Sequence, residues 1–150
     1  MTEPSDERIE PATAADLDAI DAIERHSFKT PWSRETFAAE LARAWARLDV
    51  VRASGRVVAF CDFWIVPPEV QVLAIATDPD RRDRGIAGRL LAHVLEVARA
   101  AGCRLATLEV RRGNAPAIAL YEHAGFRTVH VRARYYQDDD EDALVMLREL

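Results

Sequence analysis

Residues 70–77 read VQVLAIAT, with a single polar residue, Gln71, before the closing threonine. A strand with one wet face alternates apolar and polar side chains, whereas a nearly continuous apolar run suits a strand covered on both faces. The polar stretch DPDRRDRG follows, and then a helical pattern over residues 85–100 with Ile86, Leu90, Leu91, Val94, Leu95 and Ala98 on one side. Gly102 is placed to stop that helix. An interior strand that runs through a polar turn into an amphipathic helix needs a sheet with helices on both faces. That requirement limits the chain to an α/β architecture.

The remaining segments fit such a sheet. Residues 7–12 make a short first strand, and from Asp16 the apolar positions Leu17, Ile20 and Ile23 turn helical. Pro31 in FKTPWS breaks that helix, and Ser33 is positioned to cap a second one carrying Phe37, Leu41 and Trp45 at intervals of four. LDVVRA, the turn SGR and VVAFCDFWIV read as a hairpin. RLATLEV is a strand, APAIALYEHA a helix stopped by Gly125, and FRTVHVRARYY and DALVMLREL two closing antiparallel strands. A parallel step is expected across each strand–helix–strand crossover, giving a mixed sheet.

At 150 residues the chain is expected to be one domain, residues 1–150. It is 49% hydrophobic and 30% charged, which excludes disorder, and no apolar run approaches the ~20 residues of a membrane helix. The acidic opening MTEPSDERIEP has no signal-peptide core. Cys61 and Cys103 lack metal-ligand spacing and are expected to be small core residues in a reduced, cytoplasmic setting. His26, His93, His123 and His130 show no ligand spacing, so no metal is assigned. A net charge of −5 argues against capture of nucleic acid and favours a basic partner. The acidic run DDDED at 138–142 is either a solvated loop or a surface for a basic tail.

Two stretches carry candidate chemistry. In ATDPDRRDRGIAGRLL, the small residues Gly85, Ala87 and Gly88 let backbone N–H groups at a helix start approach a ligand. Unpaired N–H groups and the positive end of the helix dipole suit an anion, and Arg81, Arg82 and Arg84 add charge. An arginine-rich solvated turn is the plainer alternative. A nucleoside-triphosphate loop needs a lysine after its last glycine, and a dinucleotide loop needs G-x-G-x-x-G; neither is present. In LEVRRGNAPAIALYEHAGF, Glu109 ends a strand and Tyr121 lies on the next helix. They are either a strand end and a core aromatic, or the two ends of a proton-transfer site.

Arg82-x-x-Gly85-x-Ala87 fits the [QR]-x-x-G-x-[GA] signature, and the chain resembles the Gcn5-related N-acetyltransferase (GNAT) family over nearly its whole length. PWS near residue 31, LEVR…N…A…LYE…GF and RYY…EDALVM resemble, within that family, enzymes that acetylate the N-terminal alanine of small-subunit ribosomal protein eighteen. The resemblance implies the GNAT fold, a mixed and mostly antiparallel sheet with two splayed parallel central strands and helices on both faces. It implies acetyl-CoA as co-substrate, with Ile75, Ala76 and Thr77 bonding the pantetheine. The loop Arg82, Asp83, Arg84, Gly85, Ile86, Ala87 and Gly88 would hold the pyrophosphate, and Asn114 would reach the cofactor from the far side. Arg81, commonly aromatic in relatives, Asp83, usually neutral or basic, and Ala87, more often glycine, depart from the family pattern.

In the resemblance Glu109 is the base and Tyr121 the acid, and the partner is the N-terminal tail of a ribosomal protein. Tyr135 and Tyr136 are candidates for lining a groove that takes it. A protein α-amine has a pKa of about 7.7–8.0, so modest help from a base is enough near neutral pH. Another protein terminus or a small amine is a competing acceptor, and a CoA-binding module without catalysis is a competing class.

Overall fold

The structure, a computed structural model, describes residues 7–150. Part of the polar opening stretch, residues 1–6, lies outside them. Eleven helices and strands run in the order β1 Glu7–Pro11, α1 Leu17–Ser27, α2 Arg34–Ala42, β2 Ala46–Ala53, β3 Arg56–Val66, β4 Glu69–Thr77, α3 Ile86–Ala100, β5 Leu105–Arg111, α4 Ala115–His123, β6 Arg127–Arg132 and β7 Ala143–Glu149. The strands form one sheet in the order β1-β2-β3-β4-β5-β7-β6. Every pairing is antiparallel except β4 with β5.

Local chemistry explains most boundaries. Ser33 caps α2, its side chain accepting from Thr36 N at 3.2 Å. Ser54 and Gly55, both at positive φ, join Ala53 to Arg56 in a two-residue hairpin turn whose twist suits the flanking strands. The apolar spacing of α3 puts Leu90, Leu91, Val94, Leu95 and Ala98 into the core.

The two sheet faces have separate cores. Helices α1 and α2 cover Leu48, Val50, Phe60, Ala74 and Ala76. Helices α3 and α4 cover Val51, Cys61, Val72, Leu108, Val110 and Met146 on the other face. Cys61 and Cys103 are free and buried, as expected of small core residues. Among the described residues no helix is long and apolar enough to cross a membrane.

Three expectations need correction. Helix α2 ends at Ala42, so Trp45 does not continue its stripe and is 49% exposed. There the Trp45 carbonyl accepts from Ile65 N at 2.8 Å, so the chain is already pairing as sheet. The penultimate strand stops at Arg132 rather than Tyr136, because Arg134 turns at φ 50° and donates its N–H to Asp142. The second crossover makes no neighbouring pair: β7 inserts between β5 and β6 and bonds to both.

Candidate active site

The site begins where two strands part. β4 and β5 are paired only from Glu69–Leu105 to Val72–Leu108. On its other edge β4 keeps pairing with β3 as far as Thr77, except that Leu73 is skipped in the register. Such a bulge bends and twists a strand. Beyond it, the edge of residues 73–77 that faces β5 has no partner strand, while Glu109–Arg111 remain paired with β7. The parallel pair is thus splayed, and Ile75, Ala76 and Thr77 lie along the gap.

At the wide end lies a cavity of about 600 Å³ at the start of α3. Its walls include Ile75, Ala76, Thr77, Gly85, Gly88 and Asn114. Gly85 is the N-cap of α3 at φ 76° without a side-chain cap, and the first helical bond is Arg89 N to Gly85 O. The N–H groups of Ile86, Ala87 and Gly88 therefore have no partner within the helix. A Cβ placed on Gly88 would meet nothing within 4 Å. Uncapped donors beside open space fit a phosphate group.

The arginines of the loop divide. Arg81, Arg82 and Asp83 line the cavity; Arg84 does not, and its carbonyl accepts from Arg89 Nη1 at 3.1 Å. Arg82 is a brace between elements. Its Nε reaches Thr77 O at 3.4 Å, and its Nη2 reaches Ser27 Oγ at 3.2 Å and His26 O at 3.5 Å.

At the narrow end is a second cavity, of about 190 Å³, in which Glu109 and Tyr121 share a wall with Glu24, Trp32, Arg111 and Tyr136. Ala106, Leu108 and Val110 of β5 face the α3–α4 core, so by strand alternation Glu109 points to the α1–α2 side. Tyr121 comes from the α4 side and packs edge-on against Phe126 at 5.9 Å. The two share a cavity because the sheet is open between them. Burial pushes the Tyr121 phenol well above its ordinary value, with smaller contributions from Cys61 and Tyr136, so it keeps its proton. Asn114 lines both cavities and caps α4, its Oδ1 accepting from Ala117 N at 3.3 Å.

Glu109 pairs with neither Arg111 nor Arg104 but with Arg132, whose Nε lies 2.8 Å from Oε2. The pair does not make a hydrogen bond, and the buried Oε2 has no other partner. Tyr135 approaches Oε1 with its hydroxyl at 3.4 Å, while Tyr136 lines the cavity itself. The two rings stand edge to face at 5.2 Å.

The acidic run is neither free nor merely solvated. Arg111 reaches Asp138 at 3.0 Å, Asp139 at 3.1 Å and Glu141 at 3.3 Å, with its guanidinium 3.9 Å above the Tyr136 ring. Lys29 bonds Asp139 at 2.6 Å, and Thr30 bonds Asp138 at 2.7 Å. The Lys29 ammonium holds the Asp139 carboxyl below the usual carboxylate range. These contacts fasten the β6–β7 loop to the α1–α2 loop.

Glu24 and Asp62 are among the buried carboxyls that went unread in the sequence. Glu24 on α1 is 2% exposed; its Oε2 accepts from Trp32 N at 2.9 Å, and its Oε1 has no partner. Burial pushes it up to about 7, opposed by the Trp32 N–H and assisted by Asp21. Asp62 on β3 is fully buried without a donor to either oxygen, and faces Glu40. Burial, then Glu40, raises it, since two adjacent carboxyls can bond only through a proton. Glu24 was legible in principle: with Leu17 and Ile20 it continues a three-then-four helical spacing, an acid on an apolar stripe.

The acetyltransferase (GNAT) family model matches residues 17–126. A putative ribosomal protein bS18-alanine N-acetyltransferase of Bacillus subtilis is 34% identical over 132 residues, covering 87% of each chain. The ribosomal protein bS18-alanine N-acetyltransferase of Escherichia coli is 36% identical over 133 residues, covering 87% of this chain and 89% of that one. The crystal structure of an Escherichia coli ribosomal-protein-S18-alanine N-acetyltransferase superposes with a TM-score of 0.87 at 34% identity, over 95% of this chain and 93% of the other.

Proposed function

The chain belongs to the acetyltransferase (GNAT) family, and from that premise we propose that it transfers an acetyl group from acetyl-CoA to the N-terminal alanine of ribosomal protein bS18. Relatives bearing that activity in their names match along almost their full length. The observation that carries the reading is the parted β4–β5 pair. It joins a cradle of uncapped N–H groups to a small chamber walled by a carboxylate and a phenol. A ribosomal acceptor implies a cytoplasmic setting and a single acetyltransferase domain acting on a flexible tail.

Acetyl-CoA supplies the acetyl group as a thioester, activated toward an amine. Ile86, Ala87 and Gly88 would hold its pyrophosphate through their N–H groups, and the free edge of Ile75–Thr77 its pantetheine. Glu109 takes a proton from the acceptor amine, which attacks only when neutral. Arg132 holds the carboxylate in place through its ion pair. As the carbon–sulfur bond breaks, the Tyr121 hydroxyl donates to the sulfur and stabilises the charge developing there. The new bond joins the acceptor nitrogen to the acetyl carbon; the sulfur takes the Tyr121 proton and leaves as a thiol, and the second proton that the nitrogen sheds on becoming an amide restores Tyr121. Arg81, Arg82 and Asp83 border the phosphate end, while Tyr135 and Tyr136 border the acceptor end.

Thiol release in the presence of acetyl-CoA tests the proposal. Peptides beginning with alanine should outcompete lysine side chains and spermidine. Faster reaction with spermidine than with any peptide would reassign the acceptor, and absence of turnover with every amine would leave a binding module.

A further inference from the structure

The chamber that holds Glu109 and Tyr121 contains a second carboxyl with no role in the reaction derived above. Glu24 enters from α1 and lines the cavity with Phe28, Thr30 and Trp32 of the α1–α2 loop, and its buried Oε1 has no hydrogen-bond partner. A buried polar oxygen without a partner costs free energy comparable to a lost hydrogen bond, and a fold retains it at little benefit to stability.

The charges around it are already committed. Arg111, the cation of the same wall, is spent on Asp138, Asp139 and Glu141. Glu109 has Arg132 beside it. Among the described residues no cation pairs with Glu24, and the nearby Asp21 carboxyl adds negative potential. Much of the exposed acidic run, the obvious attractor for a basic substrate, is already paired with Lys29, Arg111 and Arg112. The chamber therefore has one uncompensated carboxyl in the same lining as the proposed base.

We propose that Glu24 is the docking point for the acceptor's α-ammonium group: Oε1 accepts a hydrogen bond from it and holds the nitrogen beside Glu109 until the proton is removed. Glu24 is a binding and positioning residue here, and the inference rests on the acyl-transfer reading above. Its second oxygen, bound to Trp32 N, ties the amine site to the loop that borders the entrance. Burial holds the carboxyl near neutrality in the free protein, so it ionises readily when a cation arrives to pair with it.

The test uses the full chain loaded with CoA and two peptides that differ in one group: one begins with alanine, and the other carries propionyl in its place and so lacks the amine. The wild-type protein should bind the amine-bearing peptide about ten-fold more tightly or better, as expected of a charge-assisted hydrogen bond in a buried site. Glu24→Gln keeps an acceptor for Trp32 N. It should lose most of that preference and raise KM for the alanine peptide about ten-fold, with kcat within about three-fold and acetyl-CoA binding unchanged. Glu24→Gln that retains the preference and the KM would overturn the proposal while leaving the acetyltransferase reading intact. Equal binding of the two peptides by wild-type protein would overturn it without recourse to any variant, so a misfolded variant does not rescue it. Failure of the wild-type protein to acetylate any alanine peptide would instead remove the reading on which it stands.

Discussion

Glu109 and Tyr121 stand on opposite faces of one sheet and line the same cavity. β5 directs Glu109 toward the α1–α2 face, and α4 delivers Tyr121 from the other. In an unbroken sheet these groups would be screened from each other by backbone. Here the strands have separated after Val72 and Leu108, and a proton donor and a proton acceptor face the two sides of one small volume.

Loss of either group should slow acetyl transfer by different routes. Glu109→Gln and Tyr121→Phe are each expected to lower turnover by roughly 10²–10⁴. Raising pH should partly restore Glu109→Gln, because more of the acceptor amine is then neutral, and should not restore Tyr121→Phe. Turnover across pH 6 to 10, with acetyl-CoA affinity measured in parallel, checks both. Near-normal rates in both variants would reduce the pair to a strand end and a core aromatic.

Gly88 separates ligand binding from folding. A side chain there enters open space rather than protein. Replacing glycine inside a helix with leucine also gains about 0.8–1 kcal/mol of helix propensity. Gly88→Leu should therefore melt at or above the wild-type temperature and lose the rise in melting temperature that acetyl-CoA gives. Gly85→Val is a harsher test, since valine is strained at φ 76°. An undiminished acetyl-CoA shift in Gly88→Leu would contradict the phosphate cradle.

Asp62 should make the fold less stable as pH rises. Its folded pKa is raised above the unfolded value of about 3.9, so the folded state keeps a proton that the unfolded state has released. The associated stability is full below about pH 4 and is lost progressively as pH climbs toward the raised value. Glu24 acts in the same direction up to about 7. Asp62→Asn can donate to Glu40 at every pH. It should flatten the decline and stabilise the protein by roughly 1–3 kcal/mol at pH 8, the range for relieving an unsatisfied buried group. Urea unfolding at pH 5 and pH 8 decides it, and identical pH dependence in the two proteins would refute the shared proton.

Arg111 should control the order of the β6–β7 loop. With Arg111→Gln, Asp138, Asp139 and Glu141 face one another without their common cation. Amide exchange over residues 133–142 is expected to accelerate while β2 and β3 stay protected. High salt should reproduce part of the effect in the wild-type protein, since these groups are partly exposed. Because the Lys29 pairing lowers the Asp139 pKa, its contribution persists above the ordinary carboxylate value and fades only as pH falls toward the lowered one. Unchanged exchange in the variant would remove Arg111 from this role.

The sequence disclosed what depends on short periods and fixed spacings. The apolar run of β4, the stripe of α3 and the glycines around residue 85 suffice for the crossover and the cradle. What it concealed depends on pairings between distant segments. Nothing local to DDDED announces that Arg111 and Lys29 consume it, and nothing in RTVHVR shows that β7 will slip between β5 and β6. Trp45 was misread because a four-residue interval is compatible with a helix that has already ended. Glu24 and Asp62 were visible as acids at apolar positions, but reading them needs the converse of the usual pattern: the informative residue is the one that breaks the stripe.

Only four residue pairs, Glu69–Leu105 to Val72–Leu108, join the strands of the first half of the sheet to those of the second. Across the entrance, a second fastening runs from Lys29 and Thr30 to Asp139 and Asp138. The two halves of the sheet share the α3–α4 core but meet along only a short run of backbone pairing and one ionic clasp, with the chamber between the parted strands. A long ligand laid along the open edge of β4 supplies rungs that this short run lacks, and so ties the two halves more tightly. Amide exchange along residues 73–77, whose edge toward β5 is unpaired, should therefore slow when the ligand is bound.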